Sequence, residues 1–404
     1  MRILYIVPFV PWQIKVRSFN LIPRLSRNHE IYLACISGTG PNLEQQAWQN
    51  KYCRKAIHVK HSTLRGVVQC ATALPTKTPL RIAYCRSQAA QDQVRRLYDE
   101  AKPDVIYIER WRAMQFVPED LQSPLVCDPT DSMTLYNRRL MRGGAWWERL
   151  VGWEEYIKFK SYEGKLAQRP GVCIFCSQVD VKCVKEQAPE ALCELVPNGV
   201  DCQKYFLKNE SEEQPGTVVF TGSFKYRPNR HAAEFFLERI LPMVRREVPE
   251  ATFLAVGNGA RKALSGFLGT PGFEALDFVP DLRPYLAKAA VAVAPLTVGS
   301  GVSNKLGEGF AVGTPVVATS LACGDLPVTS GRELLIGETA GEFAGHVVTL
   351  LKNSGLRREM ALCARRLVEE KYDWEIVSRK MESVLQDLVR MGENGKREKT
   401  FTTA

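Results

Sequence analysis

The sequence contains no apolar run of about 18 residues, the length that a helix needs to cross a bilayer. A secretory signal is also missing, because the apolar run Met1–Val7 is short and leads into Pro8 without a small-residue cleavage site. We therefore expect a cytoplasmic protein that is soluble or bound peripherally to the inner face of the membrane.

The cysteines lack the spacing of a disulfide framework or a metal site. The chain has 12 of them, scattered through apolar segments. Cys173 and Cys176 form a Cys-x-x-Cys pair, but it lies within an apolar strand pattern, with no second pair and no nearby histidine to complete a zinc site. We interpret the cysteines as small buried hydrophobic residues and predict no metal site.

The chain carries a net charge of +10, and much of the excess lies in basic clusters of its first half. Tryptophans accompany these clusters, which comprise Lys51–Lys55, Lys77–Arg86, Arg138–Arg142 and Lys158–Lys165, with Trp111, Trp146, Trp147 and Trp153. This combination favours an anionic membrane surface as a partner. A solvated basic surface explains the charge equally well. The sequence has no recognised nucleic-acid-binding module, so no nucleic-acid partner is expected.

Length and periodicity predict two α/β domains. With 404 residues, of which 45% are apolar, the chain can form two hydrophobic cores in domains of roughly 150 to 200 residues. A strand at Arg2–Val7, a helix at Arg17–Arg27 and a strand at Glu30–Ile36 begin a βαβ pattern, which implies a doubly wound parallel sheet. The pattern recurs from Val218 onward, after a polar, breaker-rich stretch at 201–216.

The most informative segment predicts a strand, a glycine loop and a helix. Gly299 and Gly301 flank Ser300 at the end of an apolar strand, and Ser303 can cap the following helix. Exposed amides at a helix start favour an anion, and Lys305 would add a positive charge there.

Glu308 lies about one turn after Lys305. Its two oxygens can accept hydrogen bonds from the paired hydroxyls of a ribose, while the loop amides hold phosphates. An ordinary surface helix after a glycine turn has the same local pattern, because isolated glycine loops are common.

The segment 295–318 resembles the donor-site signature of family-4 glycosyltransferases. In that signature a glutamate precedes a small-residue helix and the sequence Gly-x-Pro-Val-Val-Ala, matched here by Glu308 and Gly313–Ala318. Other blocks agree in order and spacing, namely Val196–Asp201 with the hinge motif, Val219–Ser223 with the first loop of the donor domain, and Phe278–Asp281 with the loop near the base. Finer features resemble a bacterial subgroup associated with exopolysaccharide and exosortase gene clusters; they are Lys15–Phe19, Arg227–Asn229 and Asp281–Tyr285.

The resemblance implies an α/β protein of the GT-B fold, with two Rossmann-like, doubly wound domains facing a central cleft. An N-terminal acceptor-binding domain would span residues 1–200, and a donor-binding domain 201–373. A crossover helix at about 374–391 would return to the first domain. Residues 392–404 have little apolar content and are expected to be disordered.

The resemblance also implies which residues bind the donor. They are Gly222, Ser223, Lys225, Asn229, Val279, Pro280, Ser300, Gly301, Val302, Ser303, Asn304, Lys305 and Glu308. Two positions depart from the family pattern: Ser300 stands where many members have a first glutamate, and Ser223 where many have a basic residue. Lys225, Arg227 or Lys305 can supply the missing positive charge.

In the N-terminal half, Asp128 and Asp131 follow the strand after which many family members place a histidine near the reacting sugar. The resemblance nominates one of them, together with Lys305, as catalytic. The same aspartates also fit an ordinary turn and capping sequence. Lys15 and Arg17, after the first strand, are candidates for contact with the donor phosphates or an anionic acceptor, and equally for surface charges at a helix start.

The implied activity is retaining transfer of a sugar from a nucleoside-diphosphate sugar to a saccharide or lipid-linked acceptor, in exopolysaccharide or cell-surface glycan synthesis. Lys305 and the loop amides would stabilise the leaving diphosphate, so no metal and no other cofactor is expected. The lack of a clear Asp-x-Asp motif agrees with this. Two alternatives stay open: a nucleotide-sugar 2-epimerase of the same fold, and a catalytically weak, nucleotide-sugar-binding partner of a glycan assembly complex.

Overall fold

The computed structural model describes residues 1–13, 15–141, 146–298 and 304–401, without the side chains of 146–148, 210, 304 and 393–401. The chain divides into two compact units. The first unit comprises Met1–Asn198 and Val377–Ala404, and the second comprises Gly199–Ile376.

A parallel sheet with seven described strands forms the centre of the first unit. The strands are β1 (Arg2–Val7), β2 (Glu30–Ser37), β3 (Lys55–Lys60), β4 (Val105–Glu109), β5 (Leu125–Thr130), β6 (Val172–Phe175) and β7 (Cys193–Leu195). Their order in the sheet is β3-β2-β1-β4-β5-β6-β7. The helices are α1 (Val16–Leu25), α2 (Leu43–Tyr52), α3 (Thr63–Ala73), α4 (Leu80–Tyr84), α5 (Gln88–Ala101), a 3₁₀ helix at Trp111–Phe116, α6 (Met133–Leu140), α7 (Trp146–Ala167) and α8 (Gln178–Lys185).

The second unit has a parallel sheet with six described strands. They are β8 (Gln214–Thr221), β9 (Thr252–Val256), β10 (Phe273–Leu276), β11 (Ala289–Ala294), β12 (Val316–Ala318) and β13 (Leu335–Ile336), in the order β10-β9-β8-β11-β12-β13. The helices are α9 (Arg227–Phe235), which continues through a π turn at Phe236–Ile240 into α10 (Leu241–Glu247), then α11 (Ala260–Ala263), α12 (Arg283–Lys288), α13 (Asn304–Val312), α14 (Ser320–Cys323), α15 (Ala340–Lys352) and α16 (Ser354–Lys371). Short 3₁₀ segments lie at Glu210–Glu212 and Ser265–Phe267.

The last helix, α17 (Trp374–Phe401), begins in the second unit and belongs to the first from Val377 onward. It continues to Phe401, so the disordered tail that the composition predicts from residue 392 is helical up to that point. Residues 402–404 of the predicted tail lie outside the described residues. Within the described part of the chain, no helix combines the length and apolar character that crossing a bilayer requires.

The strands are apolar on both faces, as parallel strands covered by helices require. In β8, Val218 and Phe220 join one core cluster, whereas Val219 points to the opposite face and joins another. The predicted doubly wound sheets are therefore confirmed. Because the strand interiors are mostly filled with apolar side chains, polar side chains are concentrated at the ends of the strands and in the loops that follow them.

Each of the two sheets has a point at which the order of the strands reverses. In the first unit β1 lies between β2 and β4, and in the second β8 lies between β9 and β11. The loops that leave two adjacent strands there run to opposite faces of the sheet, which opens a crevice at the carboxyl edge. Side chains on the loops after β1, β4, β8 and β11 are thus the ones that the fold makes available to a ligand.

All 12 cysteines are free thiols. Cys173 and Cys176 are buried, and burial raises the pKa of Cys176 to about 12. The pair therefore has the character of small core side chains, because a protonated, buried thiol is a poor nucleophile and metal ligand.

Candidate functional site

Two glycines shape the carboxyl edge of the second-unit sheet. Gly222 follows β8 with φ of +149°, and Gly257 follows β9 with φ of +143°. A Cβ on Gly257 would lie 2.0 Å from the carbonyl oxygen of Gly222, and a Cβ on Gly222 would lie 2.7 Å from Nδ2 of Asn229. Only glycine fits both turns. Gly257 was not among the predicted residues, although a glycine directly after an apolar strand was a signal for it.

Asn229 connects the loop after β8 with α13. Its Nδ2 donates to the carbonyl oxygen of Ser223 over 2.9 Å, and its Oδ1 accepts from Nζ of Lys305 over 2.8 Å. The same ammonium lies 4.6 Å from the ring centroid of Phe220. Burial lowers the pKa of Lys305 to about 8, and the charge of Glu308 opposes this shift. No carboxylate of the described residues forms an ion pair with Lys305, so the ammonium can neutralise an incoming anion.

Glu308 lies one turn further along α13 and is half-buried. Burial raises its pKa to about 7, against the opposing effects of Lys305, Lys204 and a hydrogen bond from the hydroxyl of Tyr205. Tyr205 was not predicted, because it stands in a polar stretch without a motif. When ionised, the Glu308 carboxylate can accept hydrogen bonds from hydroxyl groups of a ligand.

The end of α13 explains the Gly-Thr-Pro part of the motif. Gly313 follows the helix with φ of +78°, the left-handed conformation that commonly ends a helix. Thr314 donates its backbone N–H to Gly309 and its Oγ1 hydrogen to the carbonyl of Leu286, the latter over 2.7 Å. A Cβ on Gly309 would lie 3.1 Å from Val316, so the helix needs a small residue against β12. These contacts set the position of the helix that carries Lys305 and Glu308.

The other predicted donor-binding residues are less closely connected. Ser223 and Lys225 are exposed after β8, while Val279 packs half-buried against the core and Pro280 is exposed. Residues 299–303, with the predicted Ser300, Gly301, Val302 and Ser303, lie outside the described residues. Asn304 begins α13, and its side chain is not described.

In the first unit, Asp128 is completely buried and accepts hydrogen bonds from Nε of Arg17 and the hydroxyl of Tyr107. The other nitrogens of Arg17 donate to Cys176 and to Val196–Asn198, with the carbonyl of Val196 at 3.0 Å. Burial opposes the charge of Arg17, but Asp128 holds its pKa well above the usual value. The pair thus ties α1, β5 and the end of the first unit together. A ligand role for either residue stays a prediction.

Asp131 lies nearer to the surface. Its side chain is 35% exposed and forms a 3.5 Å ion pair with Nη1 of Arg110, while burial of the carboxyl raises its pKa. Arg110 and Thr130, at the ends of β4 and β5, have φ of +79° and +73°. Such backbone costs about 1–3 kcal/mol per residue and is concentrated at functional sites. The carboxyl ends of β4 and β5 are therefore candidates for a functional site.

Glu109, the last residue of β4, was not predicted. It is 1% exposed and accepts a hydrogen bond from the hydroxyl of Tyr5 over 3.2 Å. Burial raises its pKa to about 7, with Arg110 opposing the shift and Asp128 reinforcing it. A carboxylate that closes an apolar strand was the sequence signal for this residue.

Residues 215–353 match the family described as glycosyl transferases group 1. A phosphatidyl-myo-inositol mannosyltransferase of Propionibacterium freudenreichii is 27% identical over 45% of this chain and 48% of its own length. A protein of the same description from Mycobacterium tuberculosis is 28% identical over 49% and 54%. The match thus spans about half of each of these relatives. An uncharacterized 44.6 kDa protein in the cps region of Klebsiella pneumoniae is 21% identical over 73% of this chain and 76% of its own length.

Solved structures resemble the chain over nearly its whole length. Sucrose-phosphate synthase from Thermosynechococcus elongatus has a TM-score of 0.69 at 12% identity, covering 97% of this chain and 100% of that protein. The Anabaena protein HepE in complex with UDP-glucose has a TM-score of 0.63 at 14% identity, covering 96% and 100%. The second unit thus contains a domain that matches group 1 glycosyl transferases, and the chain as a whole has the GT-B fold of two Rossmann-like domains.

Proposed function

We propose that this chain is a retaining glycosyltransferase that moves a sugar from a nucleoside-diphosphate sugar to a saccharide or lipid-linked acceptor. The observation that carries the proposal is the placement of Lys305 and Glu308 on α13, with Asn229 holding the ammonium, inside the family-matched domain. Two of the relatives are named as mannosyltransferases, and one neighbour was solved with UDP or UDP-glucose; these names support a nucleotide-sugar donor.

In the proposed reaction Glu308 accepts hydrogen bonds from the ribose, and Lys305 lies near the diphosphate. The bond between the anomeric carbon and the diphosphate breaks while the acceptor hydroxyl attacks from the same face, and the hydroxyl proton passes to the leaving diphosphate oxygen, so that the configuration is retained. The positive charge of Lys305 stabilises the negative charge that develops on the leaving diphosphate. Asn229 orients the ammonium, because Oδ1 accepts from Nζ over 2.8 Å.

We place this reaction in exopolysaccharide or cell-surface glycan synthesis, on the cytoplasmic side of a membrane. This setting is supported by three segments that resemble the bacterial subgroup associated with exopolysaccharide and exosortase gene clusters, namely Lys15–Phe19, Arg227–Asn229 and Asp281–Tyr285. The acceptor, when lipid-linked, would bring the protein to the bilayer surface.

An apolar surface on the first unit supports membrane contact. On α3 the exposed apolar side chains recur at helical spacing, with Leu64 76% and Val67 57% exposed. A second exposed stripe on α7 includes Trp153 at 55% and Ile157 at 49%. Lys158, next to Ile157, donates to the carbonyl of Leu74 at the end of α3 over 3.1 Å, so the two helices adjoin. We call this the α3/α7 surface; its exposed apolar residues are Leu64, Val67, Val68, Leu74, Leu150, Val151, Trp153 and Ile157.

The sequence segment that contains α3 carries charged side chains of one sign. Residues 45–91 contain eight lysines and arginines and no aspartate or glutamate. Apolar stripes beside such a segment match a bilayer of anionic lipid, in which the apolar side chains enter the interface and the basic ones meet the headgroups. The expectation that Trp111 contacts the membrane is wrong, because its side chain is 3% exposed and packs near Phe175. The side chains of Trp146 and Trp147 lie outside the described residues.

Replacing Glu308 tests the proposed donor site. We expect Glu308→Ala to weaken donor binding about tenfold to a hundredfold, because hydrogen bonds to a charged group contribute about 1.5–3 kcal/mol. A thermal-shift screen of nucleoside-diphosphate sugars identifies the donor, since a ligand of the folded state raises the melting temperature. Calorimetry of the variant with that donor then gives the loss of affinity.

The matched control is Glu274→Ala, which removes an exposed carboxylate of the same domain. It should leave donor affinity unchanged. Wild-type affinity and turnover in Glu308→Ala would remove the central assignment. Epimer formation without an acceptor would identify the 2-epimerase, and donor binding without transfer or hydrolysis would identify the inactive binding partner.

A further inference from the structure

Three cations lie where strand order reverses in the first-unit sheet. Lys15 stands at the end of the loop after β1, while Arg110 and Arg112 follow β4. The strands pair in parallel register from Ile3 with Val105 to Ile6 with Ile108, so both loops leave the same edge of the sheet. The carboxyl edge at such a reversal is where open α/β sheets bind ligands.

Direct contacts connect the two loops. Nη2 of Arg112 donates to the carbonyl of Pro8, just after β1, over 3.5 Å. The ammonium of Lys15 lies 4.8 Å from the ring centroid of Phe9, the next residue of the same loop. The positively charged groups are thus brought to one place by the pairing of β1 with β4.

Two carboxyl groups of the described residues lie near this place: Asp131, and Glu109, whose charge opposes the effect of burial on the pKa of Lys15. No carboxylate of the described residues forms an ion pair with Lys15 or Arg112, and Arg110 has the 3.5 Å contact with Asp131. Nε of Arg112 is buried without a hydrogen-bond partner. Partial desolvation of the ammonium lowers the pKa of Lys15 and burial lowers that of Arg112, and repulsion by Arg110 acts in the same direction on both.

Arg17 shows the contrast within the same unit. Its guanidinium forms an ion pair with Asp128 and donates hydrogen bonds to Val196–Asn198, and its side chain is 2% exposed. Lys15, by comparison, is exposed, and Arg110 and Arg112 are half-buried. Half-buried cations that lack counter-charges are stabilised when an anion replaces the lost solvation. The left-handed backbone of Arg110, with φ of +79°, is a further mark of a functional position.

We propose that Lys15, Arg110 and Arg112 form a phosphate-binding site for the acceptor of the transfer reaction. The assignment of this phosphate to an acceptor rests on the proposed function. The phosphate site itself is inferred from residues of the first unit alone. The two guanidinium groups suit phosphate because their planar N–H pairs match its oxygens, and the ammonium adds a point charge. The acceptor is accordingly a phosphorylated molecule, such as a lipid-linked phosphate or a sugar phosphate.

Binding of inorganic pyrophosphate to the full chain tests the site. The measurement is calorimetry at fixed ionic strength in a Lys305→Met background, which removes the cation of the proposed donor site. We expect Arg112→Ala to weaken pyrophosphate binding at least tenfold and Lys15→Ala at least threefold. The control Arg96→Ala removes an exposed arginine of α5 and should stay within twofold of the parent. Because Lys15 is exposed, its variant keeps the test valid even when Arg112→Ala fails to fold.

A parent protein that does not bind pyrophosphate, or variants that bind it as tightly as the parent, would overturn the proposal. A second measurement separates acceptor from donor phosphate. With Lys305 restored, Arg112→Ala should leave the affinity for UDP or GDP, whichever the protein binds, within twofold of wild type. An equal loss for the nucleotide would assign the site to the donor instead and overturn the acceptor assignment. Failure to detect any sugar transfer would count against the proposed function while leaving the pyrophosphate result intact.

Discussion

Three titratable groups of the candidate sites have pKa values that lie near neutrality for one physical reason. Burial disfavours charge, so it raises the pKa of Glu109 and Glu308 to about 7 and lowers that of Lys305 to about 8. Between these values Glu308 is ionised while Lys305 keeps its proton. We therefore expect the proposed donor site to be in its binding state from about pH 7 to about pH 8.

Glu109 should make the stability of the protein depend on pH. Between about pH 4.5 and 7 the folded protein keeps a proton on Glu109 that the unfolded chain releases. The contribution of this residue to the free energy of unfolding is thus fully present below about pH 4.5 and falls as the pH rises through about 7. Glu109→Gln removes this dependence, and wild type should lose about 3 kcal/mol relative to the variant between pH 4.5 and 8.

Urea denaturation of both proteins at pH 4.5, 6 and 8 measures the effect. The comparison cancels any constant cost of losing the hydrogen bond from Tyr5. A stability difference that stays the same at all three pH values would show that Glu109 has the same pKa in the folded and unfolded states, and would contradict the prediction.

At the scale of secondary-structure elements, α13 links the family motif to the donor site. Lys305 and Glu308 lie on its first turns, and Gly313 ends it against Leu207, which a Cβ at Gly313 would approach to 2.4 Å. The position of both functional side chains therefore depends on how the far end of the helix packs.

Gly313→Ala should cost about 1–3 kcal/mol of stability, because alanine is strained at φ of +78° and the added methyl collides with Leu207. The matched control is Gly345→Ala in α15, where a Cβ meets no atom within 4 Å and the helix gains up to about 1 kcal/mol. Thermal denaturation gives both values. Equal stability of the two variants would contradict the role assigned to the end of α13.

At the scale of the whole molecule, the net charge of +10 is unevenly distributed along the chain. The acid-free segment 45–91 includes α3, whose exposed apolar stripe adjoins that of α7. Charge attracts a protein to an anionic bilayer, and inserted apolar side chains hold it there. Membrane association is therefore expected to depend on both salt and the α3/α7 surface.

The double variant Val67→Glu with Val68→Glu should bind vesicles of anionic phospholipid at least tenfold more weakly than wild type, because it places carboxylates in the apolar stripe. Co-sedimentation with vesicles measures this loss, and zwitterionic vesicles should bind weakly throughout. The control Leu268→Glu with Leu362→Glu makes the same change at exposed residues of the second unit. Equal vesicle binding by wild type and the α3/α7 variant would remove this surface as the membrane contact.

The sequence by itself determined the two doubly wound sheets and the motif around α13. Strand β1 occupies the predicted span Arg2–Val7, and the glycine turn and the Gly-Thr-Pro helix end follow rules that act over a few residues. Strand β13, at Leu335–Ile336, was missed because two residues carry no periodicity.

Only the tertiary structure decided what the charged residues contact. Arg17 and Asp128 are 111 positions apart and form a buried ion pair, and Asn229 and Lys305 are 76 apart and share a hydrogen bond. From the sequence, Arg17 was a candidate either for contact with the donor phosphates or an anionic acceptor or for a surface charge at a helix start, and Glu109 was not a candidate. The physical reason is that burial and hydrogen-bond partners depend on strand order, which brings distant loops to one edge of a sheet and leaves no local trace in the sequence.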